Sequence, residues 1–222
     1  MSMNTSARRD ITITLITLTL LLAWDFSGAD LPLIRFYADA QGFPYREHWF
    51  TRDVLHQGGR LLGFAALGAL LVNLWRPWTP ALSRSERWRW VGVTLLCLLL
   101  VPALKQLSST SCPWDLQEFG GVAQQLSHWR YGVADGGGGR CFPSGHAAAA
   151  FAFFSGYFFL RPHHPRAARA WLVGVLVVGV AFGWGQMARG AHFASHTMWT
   201  AWLCWLLCAL LAPHRTLRVS AP

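Results

Sequence analysis

Three groups of reactive side chains stand where apolar runs of this chain begin or end. In RCFPSGHAAAAF, residues 140–151, an arginine, a cysteine, a proline, a serine and a histidine crowd the mouth of one such run. Pro143 suits the first turn of a helix, where its missing N–H costs nothing. The free N–H groups that follow, with the helix dipole, favour an anion. Ser144 adds a hydroxyl donor, Gly145 lets backbone approach closely, and His146 can carry a proton; the same residues would also make an ordinary serine-capped helix start. In QMARGAHFASHTMW, residues 186–199, His192 and His196 are four apart, so on a helix they share one face beside Arg189. That pair reads as an anion-facing site, as interfacial anchors, or as two ligands of a metal. In KQLSSTSCPWD, residues 105–115, Lys105 is the only lysine among nineteen basic residues. A single compact ammonium at a span end either meets an anion or snorkels to the interface. Cations, a helix start and two histidines together make a site for moving a phosphoryl group and a proton.

The elements that must hold these groups are membrane spans. Of 222 residues, 53% are hydrophobic and thirteen are Trp, and the apolar residues fall in long runs. Six runs approach the roughly 20 residues that cross a bilayer: about 11–27, 57–75, 90–107, 145–160, 170–188 and 196–212. The fold class expected is all-α, a polytopic membrane bundle of six transmembrane helices forming a single domain over 1–222. Ser27-Gly28-Ala29 has the small residues of a signal-cleavage site, but Trp24 and Asp25 fit a retained helix end better.

Arginine placement sets the expected orientation. Arg8, Arg9, Arg76, Arg84, Arg87, Arg89, Arg161, Arg166, Arg169, Arg215 and Arg218 all fall on one side, which the positive-inside rule makes cytoplasmic together with both termini. The net charge of +9 then reflects membrane anchors, and a nucleic-acid partner is not expected, because no soluble basic module exists. The outer side carries 28–56, 108–144 and a short turn near 189–195. Arg35, Arg46, Arg52, Lys105, Arg130, Arg140 and Arg189 lie there, with Arg60 just inside the second span. Positive charge on that side calls for an anionic ligand.

In this order and at these span ends, the three groups resemble the type 2 phosphatidic acid phosphatase (PAP2) superfamily, over about residues 90–212. That family's pattern is Lys-x6-Arg-Pro, then Pro-Ser-Gly-His, then Ser-Arg-x5-His-x3-Asp. Here the first runs from Lys105 to Cys112-Pro113, the second is intact from Pro143 to His146, and the third runs from Gln186 through His192 to His196. The resemblance implies a membrane phosphatase acting on a lipid phosphate or pyrophosphate, with no metal and no cofactor. His192 would be the nucleophile and His146 the general acid, with Lys105, Ser144 and the Gly145 N–H around the phosphoryl oxygens. Transfer of the phosphoryl group to a second lipid would use the same site. A binding or transport protein for an anionic lipid, and a membrane metalloenzyme, are the readings from other classes.

The chain departs from that pattern at three positions. Cys112 and Gln186 stand where the family has Arg, and His196 stands where it has Asp. Arg140 and Arg189 are near enough in sequence to supply the lost positive charge. No Asp or Glu follows Asp135, so a carboxylate orienting His192 must come from earlier in the chain; Asp115 is the nearest to a motif, and His196 is the alternative orienter. Cys112 and Cys141 both fall in the outer loop 108–144, each beside a family motif, while Cys97, Cys204 and Cys208 lie inside spans. Two thiols in an oxidising outer compartment would pair as a disulfide; the alternative is two free cysteines.

Overall fold

A computed structural model describes residues 5–130 and 132–212, and within them the fold is helical. Arg215 and Arg218, used above for orientation, lie outside the described residues. Helix α1 spans Thr5–Ser27 and α2 Asp30–Arg35. Helix α3 spans Phe50–Trp75, its first part, Phe50–Gly58, wound as a π-helix. Helix α4 covers Arg84–Gln106, α5 Gly145–Phe151, α6 Phe154–Leu160, α7 Pro165–Ala188 and α8 Ala194–Leu211. Five of these helices are long and apolar enough to cross a membrane.

The fourth expected span, 145–160, is shorter than a membrane crossing and comes in two pieces. At the joint, Phe153 N–H bonds back three residues to Ala150 O, and the Phe153 carbonyl accepts from Trp171 Nε1 at 2.7 Å. The same carbonyl accepts Gly156 N–H at 3.0 Å, so the ladder tightens to three-residue bonds at the joint while the indole takes its second lone pair. Every residue of α6 is buried, so this pair forms the centre of the bundle, wrapped by α4, α7 and α8. Small residues let it sit there: a Cβ on Gly156 would fall 2.3 Å from Trp171 Nε1, and one on Gly179 would fall 2.2 Å from the Phe151 ring. Outside, Leu15, Leu20, Leu61, Phe64, Leu99, Val173, Val177 and Val180 are exposed, as lipid-facing side chains are. Apolar residues inside and outside, with all buried side-chain polar atoms of the described residues paired except Arg87 Nε and Thr197 Oγ1, suit a bundle whose solvent is hydrocarbon.

Local signals place the helix ends. Ser83 and Glu86 form a reciprocal capping box at the start of α4, and Pro165 opens α7. Because successive spans alternate in direction, the start of α1, the start of α4 and the 161–164 turn share one end of the bundle. There the Arg161 guanidinium donates two hydrogen bonds to the Asp10 carboxylate, at 2.7 and 2.5 Å, and His163 Nε2 lies 3.2 Å from Glu86 Oε1. The opposite end gathers the end of α1, the starts of α3, α5 and α8, and the ends of α4 and α7.

Candidate active site

Lys105 stands in the last turn of α4, Ser144 caps α5, His146 lies in the first turn of α5, and His196 lies in the first turn of α8. His192 is carried by the turn that joins α7 to α8. That turn is a Schellman motif: Ala191 N–H bonds to Gln186 O at 2.8 Å, Gly190 N–H to Met187 O at 2.9 Å, and Gly190 has φ 71°. A side chain at 190 would also strike Phe43, with a Cβ 2.3 Å from its ring. The Arg-Gly-Ala-His run therefore stops α7 and turns His192 inward.

The start of α5 is tied to α8 by backbone bonds. Ser144 N–H donates to His196 O at 3.1 Å, and Thr200 Oγ1 donates to Ser144 O at 2.9 Å. Lys105 lies alongside, since a Cβ on Gly145 would sit 3.6 Å from Lys105 Cδ. His192 is buried and within electrostatic range of His196, Lys105 and His146. Burial pushes its pKa well below the ordinary histidine value of 6.5, and the neighbouring His196 and the Lys105 ammonium both disfavour a proton on it further. The ring is thus neutral, with a lone pair, at pH 7.

His192 Nδ1 lies 3.4 Å from His196 Nδ1. With both rings neutral, one of these two nitrogens donates to the other. His196 therefore occupies the family's carboxylate position and makes a contact of the same kind, without the negative charge. Behind it His196 is boxed by Phe142, Phe193 and His128, with ring centroids 5.3, 5.4 and 6.1 Å away. A cavity of about 200 Å³ opens there, lined by Asp25, Asp30, Thr110, Ser127, His128 and His196 among others. Both of its carboxylates accept several hydrogen bonds, those of Asp25 all at Oδ2. Asp25 accepts from Trp199 Nε1 at 2.9 Å, His128 Nε2 at 3.0 Å and Trp129 Nε1 at 3.2 Å. Asp30 accepts from Trp24 Nε1 and from both N–H and Oγ–H of Ser195, capping the start of α8.

The remaining candidates separate. Cys112 and Cys141 form a disulfide, with Cα atoms 5.2 Å apart. It clamps the CPW turn to the residue just before Phe142, and Cys141 Sγ lies 3.5 Å from His192 Nδ1. Cys141, His192 and His196 place ligand-type atoms within 4.8 Å of one another, the one such group of three among the described residues. With its sulfur bonded to Cys112, Cys141 offers no thiolate, so that set lacks its strongest metal ligand. Arg189 is buried, its Nε donating to Arg46 O at 2.8 Å and its guanidinium 6.0 Å above the Trp114 ring. Arg140 is exposed and hydrogen-bonds Ser108 O only through its backbone N–H. Asp115 sits in the turn Pro113–Asp115, where its backbone bonds Cys112 and Ala123; its carboxylate makes no hydrogen bond to His192 or His196. That turn instead docks on the histidine turn through Trp114 N–H to Gly190 O, 2.9 Å.

Two sets of residues were invisible to motif reading. Asp25, Asp30 and His128 come from α1, α2 and the outer loop. From the π-helical start of α3, the Leu55 carbonyl accepts from His146 Nε2 at 3.2 Å, and the His56 ring stands 4.6 Å from the His146 ring. One signal for His56 existed: in HQGG, as in SGH, a histidine stands within two residues of a glycine at the outer mouth of a span.

With this geometry in hand, relationship can be tested. No curated protein sequence matches the chain. Among solved structures, the crystal structure of a transmembrane PAP2-type phosphatidylglycerolphosphate phosphatase from Bacillus subtilis superposes with a TM-score of 0.56 at 18% identity, covering 91% of this chain and 93% of that one. At that identity the likeness is one of fold. The PAP2 superfamily pattern matches residues 87–218, more than half the chain, and takes in Lys105, Pro143 to His146, His192 and His196. The chain is thus a multi-pass membrane protein and belongs to the PAP2 superfamily.

Proposed function

We propose that this protein is a membrane phosphatase that removes phosphate from a lipid phosphate or pyrophosphate at the outer face of the cytoplasmic membrane, with both termini inside. The observation that carries the reading is the buried, neutral His192, its Nδ1 engaged by His196, within electrostatic range of Lys105 and His146. If His192 donates from Nδ1 to His196, its Nε2 holds the free lone pair.

In the first step the Nε2 lone pair attacks phosphorus while the bond from phosphorus to the leaving oxygen breaks. His146, entering this step protonated, supplies the proton that the leaving alcohol or phosphate takes and becomes neutral. Lys105, Ser144 and the Gly145 N–H hold the phosphoryl oxygens, and Arg189 adds positive field from the rim. In the second step water attacks the phosphohistidine, His146 takes the water's proton, and inorganic phosphate leaves with His192 restored. The basic residues at the proposed outer end, facing anionic headgroups, support this placement.

A phosphate-release panel with purified protein tests the reading, offering polyprenyl pyrophosphate, phosphatidylglycerol phosphate, phosphatidate and lipid A phosphates with and without EDTA. Release that persists in EDTA, and an acid-labile, base-stable phosphoprotein in wild type but not in His192→Ala, is the expected result. A strict metal requirement, or labelling that survives in His192→Ala, would overturn it.

A further inference from the structure

The family's third-motif arginine is Gln186 here, and a neutral amide cannot supply a guanidinium's charge or its fork of donors. Gln186 is buried in the last turns of α7, and no hydrogen bond joins its side chain to His192. Gln186 Nε2 instead meets His56 Nδ1 at 3.1 Å, across 130 residues of sequence. The two residues come from α7 and from the π-helical turn of α3, a winding often found where a helix serves a site.

That contact fixes the imidazole. Accepting at Nδ1, neutral His56 carries its proton on Nε2, and Nε2 has no hydrogen-bond partner among the described residues. The ring is half-buried and faces His146 at 4.6 Å between centroids. It also lies within electrostatic range of Arg189, Arg60 and Lys105. A donor held in one orientation, beside the proposed general acid and among three cations, suits a phosphoryl oxygen. The packing holds it there: a Cβ on Gly59 would fall 2.6 Å from the Phe182 ring, and one on Gly185 would fall 2.8 Å from Leu55 Cδ1, so α3 and α7 touch on both sides of His56.

We infer that His56 is a further phosphate-binding residue of this site, donating from Nε2 to an oxygen of the phosphoryl group, with Gln186 as its positioning residue, the pair standing in for the family's third-motif arginine. The inference rests on the phosphatase reading above. It also accounts for Gln at 186, because an amide can turn either its N–H or its carbonyl to His56 Nδ1. The hydrogen bond therefore survives whether or not His56 takes up a second proton.

The test uses full-length protein in detergent and two readouts: kcat and KM on the best lipid phosphate of the panel, and binding of orthovanadate followed by tryptophan fluorescence. His56→Ala should lower kcat/KM and weaken vanadate binding about 10- to 100-fold, as loss of one oxyanion donor does. His56→Gln, which keeps an N–H near the position of Nε2, should stay within about tenfold of wild type. Gln186→Ala should fall between them. Gln186→Arg added to His56→Ala should recover at least tenfold of the loss, because the guanidinium then fills the vacated space. Melting temperatures within a few degrees of wild type show that the variants fold; if His56→Ala does not, His56→Gln and Gln186→Arg carry the comparison. Vanadate affinity within twofold of wild type in a folded His56→Ala protein would overturn the inference, as would a double variant no better than His56→Ala. Absence of phosphate release from wild type would sink the phosphatase reading separately, with vanadate binding still reporting on His56.

Discussion

The two ends of this bundle treat charge in opposite ways. At the end holding the 161–164 turn, the buried Asp10 carboxylate meets the Arg161 guanidinium, and His163 Nε2 lies against the Glu86 carboxylate. At the other end, Lys105, His146, His192 and Arg189 make no ion pair with any carboxylate among the described residues. The acids there are engaged elsewhere: Asp25 with Trp129, Trp199 and His128, Asp30 with Trp24 and Ser195, and at the surface Glu118 with Arg35 and Asp53 with Arg52. A paired end serves stability. An end with unspent positive charge and a neutral His192 is prepared for an anion that arrives from outside.

The largest expected effect comes from the unpaired end. His192→Ala should abolish turnover, and His146→Ala should lower kcat by about 10²–10⁴-fold, the range that proton transfer supplies. Both should leave the melting temperature within a few degrees of wild type, as read by thermal unfolding in detergent. Asp10→Asn should do the reverse. It leaves the Arg161 guanidinium buried without its carboxylate, which costs about 3–5 kcal/mol, while kcat per folded molecule stays near wild type. If Asp10→Asn lost turnover without losing stability, the division between the ends would fail.

The disulfide sharpens the comparison, because it joins two loop segments of the site end. Closing the 29-residue separation between Cys112 and Cys141 contributes about 3–4 kcal/mol in the chain-entropy model. Reductant should lower melting temperature and activity together, and the double variant Cys112→Ser, Cys141→Ser should no longer respond to it. Activity that survives full reduction would show that the CPW turn and His146 keep their places without the bond.

The smallest effect concerns pH. His192 in the folded protein binds its proton only well below 6.5, whereas in the unfolded chain it titrates near about 6.5. The unfolded state therefore holds more protons once the pH drops below about 6.5, and stability is lost progressively from there downward. Above that pH the contribution is constant. Melting temperature against pH should show this acid slope, and His192→Ala should flatten it. Acid loss of activity should set in only well below pH 6.5, because His192 in the folded protein keeps its lone pair down to there.

Much of the site was legible because three motifs carry it and each lies next to a helix terminus that local rules predict. Pro-Ser-Gly-His announces a capped helix start, and Arg-Gly-Ala-His announces a glycine stop that turns a histidine inward. The disulfide was legible as two cysteines outside the spans. The group against His192 was legible only as two alternatives, Asp115 and His196, and it is His196 that meets it. Asp115 is close to Cys112 and Pro113 along the chain, but the turn it belongs to hands Trp114, not its own side chain, to the histidine turn. His56 was missed for a related reason: a lone histidine at a span mouth means nothing until its partner across the bundle is known.

What the sequence determined by itself is the class of structure and the identity of the reactive groups. Apolar run length fixes helices that can cross a bilayer, and arginine placement separates two ends, because both depend only on residues near one another in the chain. What tertiary structure decided is which groups meet. Whether 145–160 runs unbroken depends on an indole from α7, whether Gln186 reaches His192 or His56 depends on how α3 packs against α7, and whether Asp25 faces the site or is spent on tryptophans depends on α1 against α8. Hydrogen bonds between residues far apart in sequence follow from packing, and side-chain packing of six helix ends is not written in any one of them.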